Sequence, residues 1–155
     1  DAWFVANQIA QYAKDNAFDL ILTGRESIDY NGAQVGAIVG ELLHIPSVSI
    51  AKKVDIAGDA VTVEREIEGG KEVLTAKLPI VIGTAEGVAE PKIPNMRGIM
   101  SARTKPLDVL EPSAIDVLEH IVSYETPAPR GTVKLVYAAE VEKLVSLLHD
   151  EAKVI

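Results

Sequence analysis

Thr23-Gly24-Arg25-Glu26-Ser27-Ile28-Asp29-Tyr30-Asn31-Gly32-Ala33-Gln34-Val35-Gly36 lies between a short apolar run and a stretch rich in small residues. The chemistry this segment could perform is anion binding. A helix start presents N–H groups with no intrahelical partner and the positive end of the helix dipole, and both suit phosphate. In open α/β sheets, ligands gather outside the carboxyl ends of the strands. Gly32 and Gly36 let a ligand or the sheet come close to the backbone. Asn31 and Gln34 could donate amide hydrogens to phosphate oxygens or read an adenine edge. Ser27 stands near Asp29, but no histidine is close in sequence, so its hydroxyl reads as a loop cap or a phosphate contact rather than a nucleophile. The spacing is neither the dinucleotide fingerprint nor a P-loop. On spacing alone, an ordinary glycine-rich turn before a helix therefore stands beside the phosphate site.

Other reactive chemistry is thinly represented. His44, His120 and His149 are scattered, with no second ligand at metal-binding spacing, and His44 ends a helix where a cation suits the dipole. The absence of cysteine excludes disulfides, zinc–thiolate and iron–sulfur ligation and a cysteine nucleophile, and it fits a cytoplasmic setting. With 23 acidic and 15 basic residues the formal charge is −8, which argues against general nucleic-acid binding and against an anionic membrane surface. No apolar run reaches the length of a membrane span, so no stable membrane insertion is expected. Glu64, Glu66 and Glu68 form the solvated face of a strand, and such a row also blunts edge-to-edge pairing.

The elements that must position the loop follow from periodicity and turn residues. Ala2, Val5, Ile9, Tyr12 and Ala13 predict a helix over about 2–16, so no signal peptide is visible at the start. Asp19–Gly24 reads as a buried parallel strand, and 33–44 as a helix packed closely on the sheet and ended by Pro46. Ser47–Ile56, Ala60–Glu68 and Glu72–Leu78 read as three strands, turning at Gly58-Asp59 and Gly69-Gly70. Ile80–Thr84 is a further buried strand. Glu86–Pro94 is a stiff exposed loop, followed by a short helix over about 95–103. Ala114–Tyr124 is ambiguous between helix and strand, Val133–Tyr137 reads as a strand, and 139–153 as a last helix striped with Val141, Leu144, Val145 and Leu148. The expected fold is α/β: a partial doubly wound, Rossmann-like parallel sheet with an added antiparallel meander. Few candidates flank Asp19–Gly24 and the chain begins at Asp1, so the first half of such a sheet is expected to lie outside these residues, and the exposed strand edges to promote self-association.

Three segments carry a family resemblance. Gly24-Arg25-Glu26-Ser27-Ile28-Asp29 with Ala33-Gln34-Val35-Gly36 resembles the adenine-nucleotide loop of electron transfer flavoprotein β subunits; the usual form is Gly-Lys-Gln-Ala/Ser-Ile-Asp, so Arg25 and Glu26 depart from it. Val63-Glu64-Arg65-Glu66-Ile67-Glu68-Gly69-Gly70-Lys71-Glu72-Val73-Leu74 and Pro79-Ile80-Val81-Ile82 resemble the family's acidic hairpin and next strand, with Gly83 where Thr, Ala or Cys is usual. Ala89-Glu90-Pro91-Lys92 and Ile99-Met100-Ser101-Ala102-Arg103 are similar to its Asn-Glu-Pro-Arg loop and Ile-Met-Lys-Ala-Lys helix, with Ala89 in place of Asn.

The resemblance implies an electron carrier subunit rather than an enzyme. It implies an α-subunit partner that holds most of the redox-active FAD, and a structural AMP in β, replaced by a second FAD in electron-bifurcating relatives. Carried onto this sequence, the nucleotide site would comprise Gly24, Arg25, Ser27, Asp29, Asn31, Gly32, Ala33, Gln34 and Val35. Val88, Glu90, Pro91 and Ile93 would dock acyl-CoA or other flavin dehydrogenases. Residues 1–105 would form an incomplete nucleotide-binding domain with a hairpin insertion, and 106–155 an arm and helix reaching to α. The competing class is an adenine-nucleotide sensor or adenylyl-transferring enzyme on a related sheet. Such an enzyme calls for an acid/base or metal-ligand constellation near the loop, and the sequence offers none.

Overall fold

The computed structural model describes residues 1–155, which form two compact units, Asp1–His120 and Ile121–Ile155. In the first unit, helix α1 spans Ala2–Asn16. Asp1 caps it, its carboxylate accepting from the Phe4 N–H at 2.6 Å, and the chain leaves through Ala17 in the left-handed conformation. The buried face of α1 is Ala6, Ala10 and Ala13, small residues at helical spacing that let a second helix come close. That helix, α2, spans Val35–Leu43 and ends at His44, with φ 55°, before Pro46.

The strands are β1 (Leu20–Gly24), β2 (Ser47–Ala57), β3 (Ala60–Ile67), β4 (Gly70–Lys77) and β5 (Ile80–Thr84). They form one mixed sheet in the order β1-β5-β2-β3-β4. β5 is parallel to both its neighbours, and β2, β3 and β4 form the antiparallel meander. Successive side chains of a strand face opposite ways. Val81 therefore packs with Ala6, Ala10 and Val39 under the helices, while Ile80 and Ile82 pack on the other face with Val48, Ala51, Val61 and Val63. All three β5 side chains are fully buried. Burial of each is worth about 1.5–3 kcal/mol.

β2 serves both halves of the sheet. Its start pairs with β5 (Ser47↔Val81, Val48↔Ile82), and its end pairs with β3, from Ala51↔Arg65 to Ala57↔Ala60. The register shifts on both sides of Ala51, and Ile50 sits there at φ 60°. A β-branched residue in that region is strained, and a bulge bends its strand. Gly58 and Gly69 supply the positive φ of the two hairpin turns. The meander carries cross-strand ion pairs, Arg65–Glu72 at 2.6 Å and Lys71–Glu64 at 3.0 Å among them. Lys53 titrates above the ordinary lysine range because Asp55 accepts its hydrogen bond and adds a negative charge beside it.

Beyond β5 the chain turns at Gly87, with φ 94°, and runs to helix α3, Met96–Ala102, capped by the Asn95 side chain on the Gly98 N–H at 2.8 Å. After α3 the chain is irregular and is tied to α1. The Gln8 amide donates to the Ser113 carbonyl at 3.0 Å and accepts from the Ser113 N–H at 2.8 Å. The second Asp1 carboxylate oxygen accepts from the N–H groups of Leu118 and Glu119, at 2.6 and 3.0 Å.

Several expectations change. β1 is parallel, but it is the edge strand, paired only with β5, and Leu22 is 59 % exposed. Ala114–Tyr124 takes neither regular form, and Val133–Tyr137 is not a strand, because the sheet takes no sixth strand to satisfy its backbone groups. The expected terminal helix divides within the second unit into a 3-10 turn (Ala138–Glu140), helix α4 (Val141–Ser146) and a π turn (Leu147–Ala152). Its stripe of Val141, Leu144 and Val145 is exposed, so no core there holds one regular helix together.

The approach of α2 to the sheet rests on Gly40, where a Cβ would stand 2.7 Å from the Ser47 Cβ and 3.3 Å from the Ile45 carbonyl oxygen. Gly40→Ala gains about 1 kcal/mol in helix propensity. Overpacking costs about 1–3 kcal/mol. The backbone carbonyl cannot swing away, so a net loss of stability is expected, read as a lower urea midpoint with an unchanged slope.

Candidate functional site

At the carboxyl ends of β1 and β5, beside the first residues of β2, the sheet opens into a crevice of about 120 Å³. Its floor is Thr23, Gly83 and Ser49, its helix side Gly36 and Ala37, and its outer wall Arg25 and Arg65. A Cβ on Gly83 would lie 3.4 Å from the Ser49 Cα and 3.6 Å from the Thr23 Oγ1, so glycine there leaves this space open. A Cβ on Gly36 would come to 2.8 Å from the same Thr23 Oγ1, so glycine also sets how closely α2 approaches β1. The Thr23 Oγ1 is buried and has no hydrogen-bond partner within the chain. The Thr23 carbonyl is satisfied by the Thr84 hydroxyl at 2.9 Å.

The start of α2 faces the crevice through Gly36 and Ala37, and Gln34 makes no side-chain cap hydrogen bond. The first helical N–H groups are thus left for another acceptor. Two guanidinium groups add positive charge. Arg25 pairs with Glu26 at 3.4 Å and is more than half exposed, whereas the Arg65 Nε meets Glu72 at 2.6 Å and is about one third exposed. An orphaned hydroxyl, uncapped helix N–H groups and two guanidinium groups make a donor set for an anion. At about 30 Å³ per liquid water the space admits roughly four waters or one phosphate-sized group. Those donors fit the phosphate end of a nucleotide.

Of the residues expected in the site, Gly24, Arg25 and Ala33 line the crevice. Ser27, Asp29, Asn31, Gly32, Gln34 and Val35 belong to the loop and helix start around it but do not line it. The loop closes on itself through the Asn31 N–H and the Ser27 carbonyl at 2.9 Å. Asn31 and Ala33, at φ 48° and 51°, occupy the left-handed region, and the glycine between them does not. A Cβ on Gly32 would meet nothing within 4 Å, so the close approach belongs to Gly36. Sequence reasoning passed over Thr23, Ser47, Ser49 and Arg65 as site residues. The one usable signal was the parity of Arg65 with Val61 and Val63 along β3.

The proposed docking residues lie on the far side of Gly87. Val88 is half-buried, Glu90 and Pro91 are exposed, and Ile93 is 95 % exposed. Lys92, Arg97 and Arg103 follow in the same exposed stretch, with Met96, Ile99 and Met100. No group of three or more His, Cys, Asp or Glu residues is close enough to hold a metal ion, and no helix is long and apolar enough to cross a membrane.

The left-handed Ala33 is a measurable feature of this site. Alanine pays about 1–2 kcal/mol there, which glycine avoids. Ala33→Gly is therefore expected to leave stability unchanged or raise it by up to about 1 kcal/mol, by chemical denaturation, where the same change inside a helix would lower it.

Residues 1–115 match the family model described as the electron transfer flavoprotein domain. A curated relative, the electron transfer flavoprotein subunit beta of Bacillus subtilis (strain 168), is 35 % identical over 165 aligned residues, covering 100 % of this chain. The chain spans 64 % of that relative's length. The matched residues contain the whole sheet, the crevice and α3. Taken together, the family match, the identity over the full chain and the mixed α/β sheet show that this chain belongs to the electron transfer flavoprotein family and is β-subunit-like in sequence.

Proposed function

We propose that this chain is part of an electron transfer flavoprotein β subunit that holds an adenine nucleotide in the crevice of its sheet and works as a heterodimer with an α subunit. The observation that carries the reading is the crevice: Thr23 brings an unpartnered buried hydroxyl to a helix start with no side-chain cap, beside Arg25. On this reading the five strands are one part of a Rossmann-like sheet, whose ligand lies at the carboxyl ends of parallel strands. Gly24, Arg25 and Ala33 would hold the phosphate end, and the surrounding loop, Ser27, Asp29, Asn31, Gly32, Gln34 and Val35, would close over the nucleoside. The nucleotide is AMP, or a second FAD in a bifurcating form, while the redox-active FAD belongs mainly to the α side. A flavin supplies the electron-accepting chemistry; this chain binds, orients and shields, and makes or breaks no bond.

The exposed apolar residues of the second unit, Tyr124, Leu135 and Tyr137 among them, suit a surface covered by the α subunit. The stretch from Val88 to Arg103 suits a dehydrogenase, since it joins an exposed apolar tip at Ile93 to the basic residues Lys92, Arg97 and Arg103. Proline on both sides of Ile93 restricts the unbound loop, which lowers the entropy lost on docking.

Denaturing the complete native protein and identifying the released small molecules tests the nucleotide. One adenine nucleotide per β subunit is the expected result, and none would overturn the reading. For docking, Ile93→Asp should slow electron transfer from a cognate dehydrogenase about tenfold or more, the effect of losing a desolvated anchor. Melting temperature and flavin content should not change, because the side chain touches solvent in the isolated chain. An unchanged transfer rate removes Ile93 from the interface.

A further inference from the structure

Strand register brings one residue of the acidic hairpin to the mouth of the crevice. Gly24 pairs with Thr84, Thr84 with Ala51, and Ala51 with Arg65. These four residues form one row across β1, β5, β2 and β3, starting at the first residue of the glycine-rich loop. Arg65 continues the row of Val61 and Val63, both buried on the face of the sheet away from the helices. A cation carried further along that row would be desolvated in an aliphatic core. The bend of β2 around Ala51 coincides with Arg65, and there the core gives way to the crevice that Arg65 lines.

Glu72 lies directly opposite Arg65 on β4 and takes its Nε at 2.6 Å. Ordinary cross-strand pairing explains such a contact by itself, as it does for Lys71 with Glu64 on the same hairpin. Two things set Arg65 apart. It is the residue of β3 and β4 that reaches the crevice of Thr23 and Gly83. It is also an arginine, whose Nε can be tethered while the terminal amino groups remain a planar, two-point donor for phosphate oxygens, an arrangement lysine does not offer.

We propose that Arg65 reads the phosphate of the bound nucleotide, with Glu72 as the residue that positions its guanidinium. The inference rests on the nucleotide reading above and assigns the discrimination between phosphorylated and unphosphorylated ligands to a residue outside the glycine-rich loop. Arg25, exposed and paired with its own neighbour Glu26, adds charge without that orientation.

The test uses the full-length protein in its native assembly, freed of bound small molecules and titrated calorimetrically with AMP and with adenosine at fixed ionic strength. Wild type is expected to bind AMP at least about tenfold more tightly than adenosine, the size of a charge-assisted two-point contact. Arg65→Gln should bring the ratio to within about threefold and leave adenosine binding unchanged. A wild type that binds neither ligand, or both equally, overturns the nucleotide reading or its phosphate end, and this inference with it. A wild-type preference that survives Arg65→Gln overturns the Arg65 assignment alone. Should Arg65→Gln lose adenosine as well, Arg65→Lys decides. A lowered ratio with adenosine binding intact supports the two-point contact, and a wild-type ratio overturns it.

Discussion

The structure hangs on β5. Ile80, Val81 and Ile82 have no exposure, one strand has a parallel neighbour on each side, and its two faces serve two separate aliphatic clusters. A strand buried on both faces cannot alternate apolar with polar residues, and this one is apolar throughout. Because it is filled, β1 and β2 are held at fixed separation about 10 Å apart across it, two strand spacings. The crevice opens where β5 lacks a side chain, at Gly83. Packing makes the strand, and the end of packing makes the site.

The same economy of volume governs α2. Two glycines one turn apart, Gly36 and Gly40, bring the helix onto Thr23 and Ser47. Each gives up helix propensity, and the return is proximity: the helix start reaches the strand ends, so its unpaired N–H groups and the Thr23 hydroxyl can address one ligand. The loop before the helix puts its left-handed residues at Asn31 and Ala33 rather than at Gly32. Strain of this kind is commonly kept at binding sites, where the surrounding structure over-determines the backbone.

Much of the fold was legible wherever two signals coincided. The period of Ala2, Val5, Ile9 and Ala13 and the polar stop at Asn16 gave α1 its observed ends, and Pro79 with the apolar run after it gave β5. Gly58 and Gly69 marked turns because the backbone there needs positive φ. The tail was misread because alternation in Val133–Tyr137 says which face is apolar but not whether a partner strand exists. For the site, the loop was legible and its neighbours were not. Thr23, Ser49 and Gly83 come together through parallel register across three strands, and Arg65 through an antiparallel pairing beyond a bulge. Neither relation leaves a local mark in sequence. Membership of the family was carried by contiguous motifs, which is why it was readable before any contact was known.

The two borders of the sheet differ in chemical character. β4 presents Lys71, Glu72 and Lys77 along its length, so a second strand laid against it would have to strip water from charged groups. β1 presents Leu20, Ile21, Leu22 and Thr23 and carries no charge at all. The sheet is therefore polarised as a surface for growth: further strands are repelled at the hairpin side and admitted beside β1. A strand added beside β1 would lie on the side where Thr23 and the crevice already sit, and it would also form a wall of that crevice.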